Sequence, residues 1–255
     1  MHLRILGCHG GETPKHRTSS FLVDDSIAVD AGAITSGLSL REQERIRSVL
    51  VSHPHMDHIR DLATLADNRC QQGGATLDIV GIPETIQALR QHFFNDLIWP
   101  DFTKIDTKEG PTVRFVELEP NRPANVDGYE VTPVLVNHTV DTSAFIIRHA
   151  DKSIVYGGDT GPTEELWTQI NALDDLQALM MEVSFPNDEA RLAADSLHLT
   201  PQTFSDELEK LRQSPELPIL IYHIKPTFEA RVHRELARIR GRNLQILELY
   251  EEVLL

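Results

Sequence analysis

The stretch His53-Pro54-His55-Met56-Asp57-His58 places three imidazoles and a carboxylate within six residues, directly after the apolar run Val49-Leu50-Val51. Behind it Ile59, Leu62, Ala63 and Ala66 recur at helical spacing, so a buried strand ends and a helix begins at the cluster. On an extended backbone residues i and i+2 point the same way, which lets His53 and His55 grip one ion. Asp57 and His58 fall in the first helical turn and face a second ion. Imidazole nitrogen and carboxylate oxygen suit zinc, and also manganese or iron. A lone His-x-His would read as a solvated turn; the added Asp-His at this spacing points to a metal site.

A chain of 255 residues, 40% hydrophobic and 25% charged, can bury the core of a single domain spanning residues 1–255 without disulfide staples. Cys8 and Cys70 form no spacing motif and read as free thiols, which suggests a reducing, cytoplasmic setting. The first eleven residues do not resemble a signal peptide, and no apolar stretch approaches the roughly 20 residues of a membrane helix. The formal charge of −15, from 24 Lys and Arg against 39 Asp and Glu, argues against a broad nucleic-acid surface. A small anion drawn to buried metal ions stays compatible with it. A homodimer is left open.

Outward from the cluster, strands are expected at Leu3–Leu6, Phe21–Val23, Ile27–Val29, Thr76–Val80, Val131–Val136, Ala144–Arg148, Ser153–Tyr156, Ala178–Val183, Ile219–Tyr222 and Leu244–Leu249. Helices are expected over Ser39–Arg47, from Pro83 to about Asp96, and over Thr163–Leu173, Pro201–Arg212 and Thr227–Ile239. Residues 97–130, rich in proline, read either as an insertion that covers the site or as a surface loop with a small core of its own. Paired strands early and alternating strands and helices later imply a layered α/β body.

Three further donors each follow a strand: His138 after Val134-Leu135-Val136, Asp159 after Val155-Tyr156-Gly157-Gly158, and His223 after Ile219–Tyr222. The two glycines are expected to let the backbone approach an ion closely. Singly, each donor could be an ordinary polar residue. Together with the cluster they make seven: His53, His55 and His138 for one ion, Asp57, His58 and His223 for the other, and Asp159 able to bridge. Seven donors suit two divalent ions that each keep a position open for water and substrate.

With these residues in view, the chain resembles the metallo-β-lactamase superfamily, whose signature is His-x-His-x-Asp-His followed by a distant His, Asp and His. That resemblance implies a four-layer αββα sandwich with a dimetal site at one edge of two sheets. Asp61 departs from the pattern, since many members carry glycine there; it reads either as a carboxylate supporting the site from behind the ligands or as a simply exposed residue. Met181-Glu182-Val183-Ser184-Phe185-Pro186-Asn187, Ser196-Leu197-His198-Leu199-Thr200-Pro201, His223-Ile224-Lys225-Pro226 and Ile98-Trp99-Pro100-Asp101-Phe102 look like segments of the class II 3′,5′-cyclic-nucleotide phosphodiesterases. The tRNA 3′-processing endonucleases of the RNase Z type share part of this layout. Their His-Glu-Ala-Thr and His-Ser-Thr segments align with Glu182 and His198, but Met181 and Leu199 depart from them.

The chemistry fits a phosphodiester. Two cations would make hydroxide available from a bridging water near neutral pH and neutralise the phosphate oxygens during in-line attack. The leaving 3′ oxygen needs a proton that bound ligands cannot give. His198 can supply it if Glu182 orients its imidazole and keeps it charged. Asp57, His198 and Glu182 are therefore the candidate catalytic residues, and Lys225 is a candidate phosphate contact. Phe93, Trp99 or Phe102 could stack on a base, although packing among themselves is the simpler use. The leading expectation is a dimetal hydrolase opening cyclic nucleotides, cyclic AMP foremost, to 5′-monophosphates. The alternatives are an RNase Z-like endonuclease and a thioester or lactone hydrolase, the last of which would not need Glu182 and His198.

Overall fold

The computed structural model describes residues 1–255. Its strands, in chain order, are β1 (His2–Gly7), β2 (Ser20–Val23), β3 (Ile27–Val29), β4 (Ser48–Leu50), β5 (Leu77–Gly81), β6 (Asp106–Thr107), β7 (Gly110–Pro111) and β8 (Val113–Glu117). They continue with β9 (Ala124–Val126), β10 (Tyr129–Val136), β11 (Thr142–His149), β12 (Lys152–Tyr156), β13 (Leu176–Glu182), β14 (Pro218–Tyr222), β15 (Asn243–Ile246) and β16 (Glu252–Leu254). Two seven-stranded mixed sheets result, ordered β16-β1-β2-β3-β4-β5-β8 and β15-β14-β13-β12-β11-β10-β9. In the first sheet β16 to β3 pair antiparallel and β3 to β8 parallel. In the second, β9 to β12 are antiparallel and β12 to β15 parallel.

Period-2 alternation divides the strand residues between faces. Ile5, Phe21, Val23, Leu50 and Val80 meet Phe145, Ile147, Tyr156, Met180, Leu220 and Tyr222 in a core between the sheets. Their neighbours Leu6, Leu22, Val49, Val51 and Ile79 point outward, onto a second core. That core is covered by α1 (Ile34–Gly37), α2 (Leu40–Gln43), α3 (Met56–Ile59), α4 (Asp61–Gln72) and α5 (Pro83–His92). Val155, Leu179, Met181, Ile219 and Ile221 do the same on the second sheet. There the cover includes α6 (Glu165–Ile170), α8 (Pro201–Leu208) and α9 (Glu229–Leu236), with the short α7 (Ala190–Asp195) lying between the first two in sequence. Three cores separate four layers, as the αββα expectation requires. No helix is long and apolar enough to cross a membrane.

Several element boundaries differ from expectation. The helix expected over Ser39–Arg47 ends at Gln43, although its Ser39/Glu42 capping box is present. The helix from Pro83 stops at His92, and Phe93 turns its ring into the core instead. Residues 97–130 are tied into the body more closely than an insertion would be, because β8 extends the first sheet and β9 the second.

Candidate metal centre

The donors gather where strands end. His53 follows β4, Asp159 follows β12, His223 follows β14, and His138 follows β10. His55 is the extended residue before α3, so Asp57 and His58 sit in its first turn. His53, His55 and His138 each offer a nitrogen within 4.8 Å of the others; Asp57, His58, Asp159 and His223 form a second such group. Asp159 lies between the groups. Its Oδ2 is 3.2 Å from both His58 Nε2 and His223 Nε2, and 3.8 Å from His53 Nε2.

Four of the five imidazoles are held through their other nitrogen, while His55 meets only the rings of His53 and His138. His58 Nδ1 donates to Asp30 Oδ2 at 2.7 Å, and His138 Nδ1 to the Leu197 carbonyl at 3.1 Å. His223 Nδ1 lies 2.8 Å from Ser184 Oγ, and His53 Nδ1 lies 2.9 Å from Ser52 Oγ. Such outer partners fix ring orientation and tautomer in metal sites. Asp30 is the hub, accepting also from the Ser52 amide, the Ser52 hydroxyl and the Tyr156 hydroxyl. It is fully buried at φ 57°, a left-handed conformation uncommon outside glycine. His223, at φ 66°, shares that strain and is pinned by the hydrogen bond its backbone amide donates to the Cys8 carbonyl.

Burial lowers the pKa of His53, His55, His138 and His223, which favours the neutral form that ligates. His58 goes the other way: burial opposes its charge, but Asp159 and Asp30 outweigh it and hold the pKa up. Asp159 is buried and Asp57 half-buried, which disfavours their charge, yet the facing histidines hold both carboxyls well below the usual range. Buried His58 Nε2 and Asp159 Oδ1 make no hydrogen bond. Unpaired buried donors converging on one space, neutral rings beside ionised carboxylates, fit divalent cations, whose binding would displace the His58 proton.

His198 and Glu182 lie beside this cluster. His198 Nδ1 is 2.6 Å from Glu182 Oε1, and Glu182 also accepts from the Thr160 amide and the Ser184 hydroxyl. Burial disfavours a charged His198, but Glu182 prevails and raises the pKa. Lys225, whose ammonium makes no bond within the chain, lies close enough for its charge to work against protonation of His198 and His223, without outweighing Glu182 at His198.

A match to the β-lactamase superfamily domain covers residues 21–224. The chain belongs to that superfamily. A relative named probable 3′,5′-cyclic-nucleotide phosphodiesterase, from Yersinia pestis, is 27% identical over 277 residues, covering 88% of this chain and 78% of its own length. A ribonuclease Z from a Mycobacterium strain is 29% identical over 155 residues, covering 58% of this chain and 53% of its own. The crystal structure of unliganded yeast PDE1 superposes with a TM-score of 0.85 at 21% identity, covering 100% of this chain and 99% of that one.

Within this superfamily fold, some residues stand where sequence reasoning did not put them. Gly157 and Gly158 serve the packing of strands: a Cβ on Gly157 would press on Met181 Sδ at 2.9 Å and Met180 O at 3.0 Å, and Gly158 sits at φ 65° against Ser143. Asp61 is buried and accepts from the Thr35 amide and hydroxyl, so it secures the turn after Asp30. Phe93 and Phe102 pack into the core under the first sheet with Trp99 against it, the simpler of the two uses expected for them, and the Trp99 indole donates to the Ala63 carbonyl. The aromatic beside His198 is instead Phe185, 5.8 Å between ring centroids and backed by Phe228. Asp30 was legible by the rule that found Asp159, a carboxylate just past a strand; Ser52, Tyr156, Ser184 and Phe185 carry no such signal.

Proposed function

We propose that this site hydrolyses 3′,5′-cyclic nucleotides to 5′-monophosphates, with cyclic AMP the preferred substrate. The observation that carries the reading is the His198–Glu182 pair beside the seven donors, because phosphodiester opening, unlike thioester hydrolysis with its thiolate leaving group, must protonate a poor alkoxide leaving group. The relatives named cyclic-nucleotide phosphodiesterases support it. His53, His55 and His138 would hold one divalent ion, zinc foremost, and Asp57, His58 and His223 the other, with Asp159 shared. Those ions would supply an activated water near neutral pH and charge compensation for the phosphate oxygens.

The chain's own groups do the rest. Asp57, with 30% of its side chain exposed, accepts a hydrogen bond from the attacking water and orients it. As the bond from phosphorus to the 3′ oxygen breaks, His198 Nε2 delivers a proton to that oxygen, Nδ1 being held by Glu182. Lys225 faces the phosphate as a point charge.

Assaying metal-loaded protein on cyclic AMP, cyclic GMP, a precursor tRNA and a thioester, across a salt series, tests this. A cyclic nucleotide carries one negative charge, met inside the pocket, so turnover should change little up to about physiological ionic strength. A bound tRNA would require several Lys or Arg contacts and lose affinity steeply with salt. Efficient tRNA trimming without cyclic-nucleotide turnover overturns the reading.

A further inference from the structure

The chain holds a second group of convergent donors that the catalytic cluster does not use. His9 and His16 lie on the loop joining β1 to β2, and Glu229 opens α9. Each offers one donor atom, and the three atoms lie within 4.8 Å of one another. They line a pocket of about 380 Å³ whose rim carries His233, one helical turn beyond Glu229 on the same face. We propose that His9, His16 and Glu229, with His233 or water completing the set, form a third metal site that takes a zinc-class divalent ion.

The local geometry is built for this rather than accidental. Thr13 and His16 exchange both backbone hydrogen bonds, at 3.2 and 3.1 Å, closing a tight turn around Pro14 and Lys15. Thr13 Oγ1 is 2.5 Å from His16 Nδ1, and the tautomer that donates to it leaves Nε2 free to face Glu229 Oε2, 3.3 Å away. A ligating histidine ordinarily has its second nitrogen engaged in this way. The His9 amide donates to the Arg17 carbonyl and the Gly10 amide to the Ile224 carbonyl, so His9 is held on both sides. Its ring meets that of His16 edge-on, 4.5 Å between centroids. Two nitrogens and a carboxylate oxygen suit zinc, and poorly suit calcium or magnesium. Cys8 also lines the pocket, but its thiol donates to the Leu247 carbonyl and is not part of the three-donor group.

An ion here would tie the β1–β2 loop to α9. The adjoining Gly10 packs on the His223 backbone and on the Lys225 stem, where a Cβ would come within 2.4 Å and 2.9 Å. The site is therefore a clamp behind one wall of the catalytic cluster.

Elemental analysis of zinc-loaded, gel-filtered protein decides it. The parent chain should carry one more zinc than the His16→Ala, Glu229→Gln double variant. The same difference of one should persist when Asp159→Ala is present in both, so a failure of the catalytic reading leaves this test standing. Glu229→Gln alone, the gentler change, should raise the Kd of that zinc by at least about tenfold. Zinc should also raise the melting temperature of the parent more than that of either variant. Equal zinc content in parent and variants, with circular dichroism showing all of them folded, overturns the site and leaves His16 and Glu229 as a simple ion pair.

Discussion

The two ends of the sandwich make opposite use of charge. At the end where β4, β5 and β8 begin, the molecule has a wide cavity of about 960 Å³, lined by Asp25, Arg45, Arg47, Asp78, Arg114 and Asp127 among others. There the acids and bases are matched: Arg114 clasps Asp78, Arg47 reaches Asp127, and Arg45 reaches Asp25. At the other end, where β4, β12 and β14 finish, imidazoles and carboxylates face one another with buried atoms unpaired. Open α/β sheets bind ligands beyond the carboxyl ends of their strands, and convergence there of five histidines accounts for it here. Cavity size does not find the site; unmet demand for a cation does. Paired charges at the opposite end are already satisfied and leave nothing for a ligand to complete.

The sharpest way to break this contrast is Asp159→Ala. Partners one step removed from a metal ligand already cost 10–100-fold, so removing the shared carboxylate should lower turnover by more than about 100-fold. Elemental analysis should show the loss of at least one ion relative to the parent. Full activity, or unchanged metal content, would sink the shared-ligand arrangement.

His198→Ala should come next, reducing kcat by roughly 10²–10⁴ with metal content intact. A nitrophenyl phosphodiester, whose leaving group needs no proton, should suffer far less. The pH profile carries the same information. The proposed proton donation needs charged His198, whose pKa lies above the ordinary histidine value because Glu182 outweighs burial. Activity should therefore fall as pH rises through that raised value, and Glu182→Gln should move this alkaline limb to lower pH. An equal loss on both substrates, with the limb unmoved, would make His198 a phosphate-positioning residue.

How far the sequence could be read follows from what makes each contact. His53, His55, Asp57 and His58 are neighbours in the chain, so their spacing alone specifies how they point. His138, Asp159, His198 and His223 sit just beyond strands or in recognisable segments, and the fold then brings them together. The supporting groups are different. Tyr156 reaches Asp30 across 126 residues of chain, from one sheet to the other, and on its own strand it looks like a core aromatic. Ser184 becomes a link between Glu182 and His223 only because β13 and β14 lie side by side. Short elements such as α1, α7 and β16 were invisible for a related reason: tertiary packing, not local periodicity, holds them.

Asp30→Asn tests that hidden layer. It keeps the volume but replaces a carboxylate that accepts from His58, Ser52 and Tyr156 with an amide that must also donate. Metal affinity, measured by competition with a chelator, should weaken by about 10–100-fold, with His58 the ligand set adrift. Unchanged affinity would mean that packing alone orients His58.

The smallest effect belongs to the opposite end. Arg114 donates from Nε and Nη2 to the two oxygens of Asp78 at 2.8 and 2.6 Å, as good a geometry as a surface pair offers. Its side chain is nevertheless 63% exposed, and water competes for both charges. Pairs of this kind contribute about 0.2–1 kcal/mol, screened further by salt. Arg114→Ala should therefore shift a denaturant midpoint only slightly, leave metal content untouched and leave kcat/KM within about twofold of the parent. If the large cavity were the functional site, the same substitution would strip a charge from its lining and leave Asp78 unpaired, and turnover would fall while the ions stayed bound. That combination, activity lost with the metal cluster intact, would reverse the assignment of the two ends.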